Sequence, residues 1–166
     1  MQASDHGRAM DTSSKDPVPG GDTRLVPAAV WLLRSISVLL VLFALGHTAG
    51  ILSFVAPTAD ARAVKAAMDT VKFGSEGDTF SYGQFYLGFG WFVTFGMLFT
   101  AAITWWLSQE ARRGGKVPLF PASAVFVLQL AGLVLALLYF PLPPIIFSVL
   151  TTACAGAIVA VGWRLR

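Results

Sequence analysis

Residues 117–163 read VPLFPASAVFVLQLAGLVLALLYFPLPPIIFSVLTTACAGAIVAVGW, without one acidic, basic or histidine side chain. A membrane-crossing helix needs ~20 predominantly apolar residues, so this run is long enough for two. Pro141-Leu142-Pro143-Pro144 lies near its middle. Proline removes backbone donors and disfavours helix in the residue before it. The run therefore predicts two helices, roughly 120–140 and 145–163, joined by a tight turn into an antiparallel hairpin.

Working outward, two further stretches lack acidic and basic side chains: 35–59, and 80–111 with the exception of Glu110. They predict spans over roughly 28–55 and 81–108. Composition agrees. Of the 166 residues, 55% are hydrophobic and 13% charged, and the mean hydropathy is +0.68. Soluble domains carry about 25% charged residues. The expected fold is all-α: a four-transmembrane-helix bundle forming one membrane domain over residues 27–166. Residues 1–26 are polar, mixed in charge and rich in Gly, Pro, Ser and Asp, which predicts a disordered tail. A signal peptide is not expected, because the apolar region begins too late. His6 in the tail has no companion ligands at useful spacing, so it reads as solvated.

Orientation follows from Lys and Arg in short flanks. Arg24 and Arg34 flank the first helix, Arg112, Arg113 and Lys116 follow the second, and Arg164 and Arg166 end the chain. The proline turn carries no charge, and the 56–79 loop mixes Arg62, Lys65 and Lys72 with Asp60, Asp69, Glu76 and Asp78. Both termini are thus expected on the cytoplasmic side of a plasma (inner) membrane crossed several times. Trp31, Trp105, Trp106 and Trp163 fall at the predicted cytoplasmic level, and Tyr82, Tyr86 and Tyr139 toward the outer one, as interfacial aromatics do.

The 56–79 loop contains TADARAVKAAMDTVKF, residues 58–73. Ala61, Val64, Met68 and Val71 recur at helical spacing with charges elsewhere around the helix, and Thr58 is placed to cap it. This predicts a short amphipathic helix on the outer surface. It serves either as a cover for the bundle end or as a lid over something inside.

Lipid supplies no hydrophobic force between helices, so close packing of small residues must hold them. Gly46 and Gly50, Gly132 and Ala136, and the row Ser148, Thr152, Gly156 and Ala160 are each four apart. They predict packing faces, within the chain or between chains. Gln129 lies mid-span and reads as a hydrogen-bonding group between helices. Cys154 is the single cysteine, which excludes an internal disulfide, CxxC redox chemistry and thiolate metal clusters. Phe85, Phe89, Phe92 and Phe99 form a stripe that either faces lipid or cradles a long apolar ligand.

His47 sits in FALGHTAG, residues 43–50. It lies 13 residues beyond Arg34, roughly 20 Å at 1.5 Å per residue, hence in the outer half of the membrane. A neutral imidazole there has one donor and one acceptor to satisfy. Ser81, Tyr82, Gln84, Tyr86, Tyr139 and Ser148 are the partners at similar depth, which predicts a polar cluster centred on His47. Ionisable groups inside a membrane are functional candidates; the plainer reading is a hydrogen bond tying the first helix to the second. Haem or metal ligation is not expected, because no other span carries a histidine. No catalytic residue is assigned, since no intramembrane acid accompanies His47. No P-loop, dinucleotide fingerprint or basic-aromatic patch points to nucleotides or nucleic acid.

With Gly46-His47-Thr48-x-Gly50 in the first helix and Tyr86-x-Gly88-Phe89-Gly90 opening the second, the chain resembles a group of small, uncharacterised bacterial four-helix membrane proteins. The likeness covers roughly 28–163 and leaves out the tail. It implies a bacterial inner-membrane protein in which His47 and Tyr86 are worth testing together, and it carries over no activity. The small-residue rows favour a non-enzymatic accessory or structural subunit, with the lipid bilayer, copies of itself or other membrane subunits as partners. The alternative is a binder, carrier or enzyme for an apolar ligand (a lipid, quinone or pigment) using His47, Tyr82, Gln84, Tyr86 and Tyr139.

Overall fold

The computed structural model of the chain describes residues 25–74 and 79–165. They form α1 (Leu25–Leu52), α2 (Ala59–Thr70), α3 (Tyr82–Gly114), α4 (Leu119–Tyr139) and α5 (Leu142–Arg164). Helices α1, α3, α4 and α5 are each long and apolar enough to cross a membrane. The tail expected over residues 1–26 lies outside the described residues up to position 24, and residues 25 and 26 already belong to α1.

The proline turn is tighter than its composition suggests. Helix α5 begins at Leu142, inside the PLPP segment, with Pro141 as its N-cap and prolines in its first turn. A helix's first N–H groups have no intrahelical acceptor, so proline loses nothing there and its fixed φ suits the helix. Only Phe140 and Pro141 link α4 to α5. Helix α3 runs on to Gly114 rather than stopping near 108. Its apolar run ends near Ser108, but the helix does not. Gly115, at φ 65°, turns the chain in the left-handed region and donates to the Ala111 carbonyl at 3.0 Å. Arg112 and Arg113 in that last turn complement the negative end of the helix dipole.

Helix α1 stands in the middle, packed against α3 on one side and α5 on the other; α4 packs on α5 and touches α3 only marginally. The core lies toward the tryptophan-bearing end. Leu33 and Ile36 of α1, Leu107 of α3, Val125 of α4 and Ile158 of α5 are buried together there. At the end carrying α2, burial thins to small residues such as Ala44, Ala136 and Ser148. Several hydroxyls inside the bundle are satisfied locally or between helices, while the buried Arg34 Nε makes no hydrogen bond among the described residues. Thr104 and Thr151 donate back to carbonyls of their own helices, Ser37 Oγ donates to the Ala101 carbonyl at 2.8 Å, and Thr152 Oγ1 donates to the Gln129 carbonyl at 3.0 Å.

The small-residue rows divide. Ser148 and Thr152 are buried, Ala136 is buried, and a Cβ on Gly156 would sit 3.2 Å from the Phe126 ring, so this part of the α4–α5 hairpin packs closely. Ala160 is exposed. Gly46, Gly50 and Gly132 have nothing opposite them within 4 Å of where a Cβ would stand. Gly162, not in any row of fours, is tightly packed: its Cβ would meet Leu119 and Val117. Trp31, Trp105, Trp106 and Trp163 are all largely exposed on the end away from α2, and the Arg34 guanidinium carbon lies 5.2 Å from the Trp105 ring centre. Cys154 packs half-buried beside the core.

Candidate functional site: an aromatic groove at the α2 end

The loop between α2 and α3 fixes one wall of the site. Ser81 caps α3 by accepting from the Gln84 N–H at 3.2 Å, while Gln84 Oε1 accepts from the Ser81 N–H at 2.8 Å. This reciprocal pair satisfies two donors that a helix start leaves open. The incoming chain is pinned to the same turn: Phe73 N–H donates to the Phe80 carbonyl at 3.2 Å and Tyr82 N–H to the Val71 carbonyl at 3.3 Å. Phe73 thereby lies against Tyr82 and Phe85, ring centres 5.0 and 5.4 Å apart. The aromatic series continues down α3 through Phe85–Phe89 and Phe89–Phe92, at 5.1 and 6.4 Å.

Helix α2 is the roof. Thr58 caps it, with Oγ1 accepting from the Ala61 N–H at 3.1 Å, and none of its residues is fully buried. Its last turns rest on α3 at Gly83, where an added Cβ would run into the Asp69 carboxylate and lie 3.3 Å from the Met68 carbonyl. That contact brings Met68 over the groove.

The floor is one turn of α1 against one turn of α3. Thr48 and Thr94 share a hydroxyl–hydroxyl hydrogen bond of 3.1 Å. Ile51 fills the space over Gly90, where no Cβ fits beside it. His47 Nε2 donates to the Gly90 carbonyl at 3.3 Å. A carbonyl oxygen only accepts, so Nε2 carries the proton. This is the tie between the first and second spans that the sequence suggests, made to backbone instead of a side chain.

Between these walls lies a groove of about 580 Å³. His47 and Ile51 of α1, Met68 of α2, Tyr82, Phe85, Tyr86, Phe89, Gly90 and Val93 of α3, and Phe140 at the α4 end line it. It is open to the side: Tyr82, Phe85, Tyr86 and Phe89 are each at least half exposed. The volume is in the ordinary range for ligand clefts, ~300–1,000 Å³.

Of the residues expected around His47, Tyr82 and Tyr86 are brought to the groove. Gln84 is not: its side-chain oxygen is spent on the α3 cap. Tyr139 is exposed outside the lining, and its neighbour Phe140 lines the groove in its place. Ser148 is buried in α5 and makes no side-chain hydrogen bond to His47. Ile51, Met68, Val93 and the Gly90 carbonyl were not legible as site elements, because apolar side chains and backbone groups carry no chemical signature in a sequence. The Phe85–Phe89–Phe92 stripe is half groove wall and half bundle exterior: Phe92 and Phe99 are highly exposed and outside the lining.

Among the described residues, no three His, Cys, Asp or Glu side chains come together in a way that would hold a metal ion. A second, smaller hollow of about 220 Å³ lies at the opposite end, between Lys116, Val117, Leu119, Gly162 and Leu165. No family model, no curated protein and no solved structure matches the chain.

Proposed function

We propose that this chain is a membrane protein that binds an amphiphile in the groove at the α2 end. The apolar body lies along Phe85 and Phe89, and the polar head meets His47, Tyr82 and Tyr86. One observation carries the reading: the sole histidine in the spans lines an open aromatic groove. A histidine serving only to tie two helices has no need of such a cavity beside it.

The test is lipidomic. The protein is extracted gently from its native membrane, and its bound small molecules are released and weighed by mass spectrometry. One amphiphile class enriched over the bulk membrane is expected, and enrichment should fall on His47→Ala while the helical content is kept. A lipid profile identical to the bulk membrane would overturn the proposal.

The second reading, an accessory subunit in a larger assembly, is favoured by Gly46, Gly50 and Gly132, which face open space. In lipid, exposed glycines of this kind are where another helix approaches closely. A native mass spectrum showing multiples of the chain or a second polypeptide supports it; a bare monomer counts against it. For the membrane and its sidedness, the proposal is a bacterial plasma membrane with α2 outside, since Arg34, Arg112, Arg113, Lys116 and Arg164 all sit at the tryptophan end.

A further inference from the structure

Resting on the reading of the groove as a binding site, we infer that its occupant carries a hydroxyl head that donates to Nδ1 of His47: a free alcohol or phenol on a long apolar chain. The argument begins with the tautomer. Nε2 is bonded to the Gly90 carbonyl at 3.3 Å and must carry the proton. The neutral ring has one N–H, so Nδ1 is a bare acceptor. No hydrogen bond reaches Nδ1 among the described residues. The groove lining includes no carboxylate.

His47 thus presents a group of one sign only. Tyr82 and Tyr86 differ: neither hydroxyl is hydrogen-bonded within the described residues, and a phenol both donates and accepts. They accommodate an alcohol, an ether or a carbonyl alike. Selectivity therefore falls to Nδ1. An alcohol head satisfies it. An ether or aldehyde head of the same shape leaves it unpaired in an apolar surround, and an unpaired buried acceptor is costly. The rest of the lining is apolar and largely aromatic, which calls for an apolar chain behind the head, and a farnesyl chain serves as the probe.

The probes are farnesol, farnesyl methyl ether and farnesal, titrated onto the full chain in detergent micelles, with adducts counted by native mass spectrometry. Farnesol should bind about tenfold more tightly than the other two, the factor corresponding to ~1.4 kcal/mol. The preference should vanish in His47→Ala and persist in Tyr86→Phe, which removes the competing hydroxyl. Equal binding of all three by the unaltered protein overturns the head-group inference and leaves the groove reading standing. Loss of the preference in Tyr86→Phe reassigns it to the tyrosine and overturns the role given to Nδ1. Binding of none overturns the groove reading itself. Should His47→Ala fail to fold, the comparison of the three probes on the unaltered protein and on Tyr86→Phe decides the matter alone.

Discussion

Glycines separate packing from mere tolerance at the level of single residues. Gly88 and Gly90 stand two apart on α3, yet a methyl group on Gly88 meets nothing within 4 Å, while one on Gly90 runs into Ile51. Gly88→Ala should be neutral or stabilising, since alanine is favoured over glycine in a helix by ~1 kcal/mol. Gly90→Ala should destabilise by ~1–3 kcal/mol, the usual cost of overpacking, and should narrow the groove by displacing Ile51. Reversible unfolding with sodium dodecyl sulfate in mixed micelles measures both. The same titration tests the buried Ser37–Ala101 link: Ser37→Ala should cost ~0.6 kcal/mol, the average for interhelical hydrogen bonds in membranes. These assignments were hidden in the sequence, where Gly88 and Gly90 stand in the same apolar run and nothing distinguishes them. His47 was legible as an anomaly because a polar ring in an apolar run is rare. Its partner was not, because a backbone carbonyl looks the same at every position.

Among the elements, the four spans and the amphipathic helix were readable from length, charge gaps and spacing. Their ends were not. Charge marks where the apolar run stops, and α3 continues past that point to Gly114. Proline marks where a helix cannot continue, and in PLPP it also marks where the next one starts. Gln84 shows the same limit: Ser81-x-x-Gln84 is a capping-box spacing, and a side chain committed to a cap is unavailable to a neighbouring cluster. The seating of α2 yields a prediction. Gly83→Ala forces the Asp69 carboxylate aside and crowds the Met68 carbonyl. Amide hydrogen exchange should accelerate across residues 59–70, with little change in the middle of α1 or α3.

Across the whole molecule, stability is unevenly distributed. The large buried side chains lie at the tryptophan end, and the α2 end is held by small residues and a few hydrogen bonds. Exchange protection should therefore be highest around Leu33, Leu107 and Ile158 and fall toward the groove, because opening free energies follow local contact density. Sidedness is tested separately: Val64 on α2 is well exposed, so a cysteine introduced there by Val64→Cys should react with a membrane-impermeant maleimide added outside intact cells, whereas native Cys154 should not. Labelling only after lysis would reverse the proposed orientation.

The sideways opening of the groove changes what affinity means for this protein. Tyr82, Phe85, Tyr86 and Phe89 are exposed on a helix that is apolar enough to lie in lipid, so the occupant proposed above would arrive by diffusing in the plane of the bilayer and not from water. Its effective concentration is then a mole fraction among lipids. Partitioning has already taken place before the site is met, and the protein contributes only the difference between its groove and the surrounding acyl chains. Diluting the sample with buffer should leave occupancy almost unchanged, and diluting it with lipid should empty the groove.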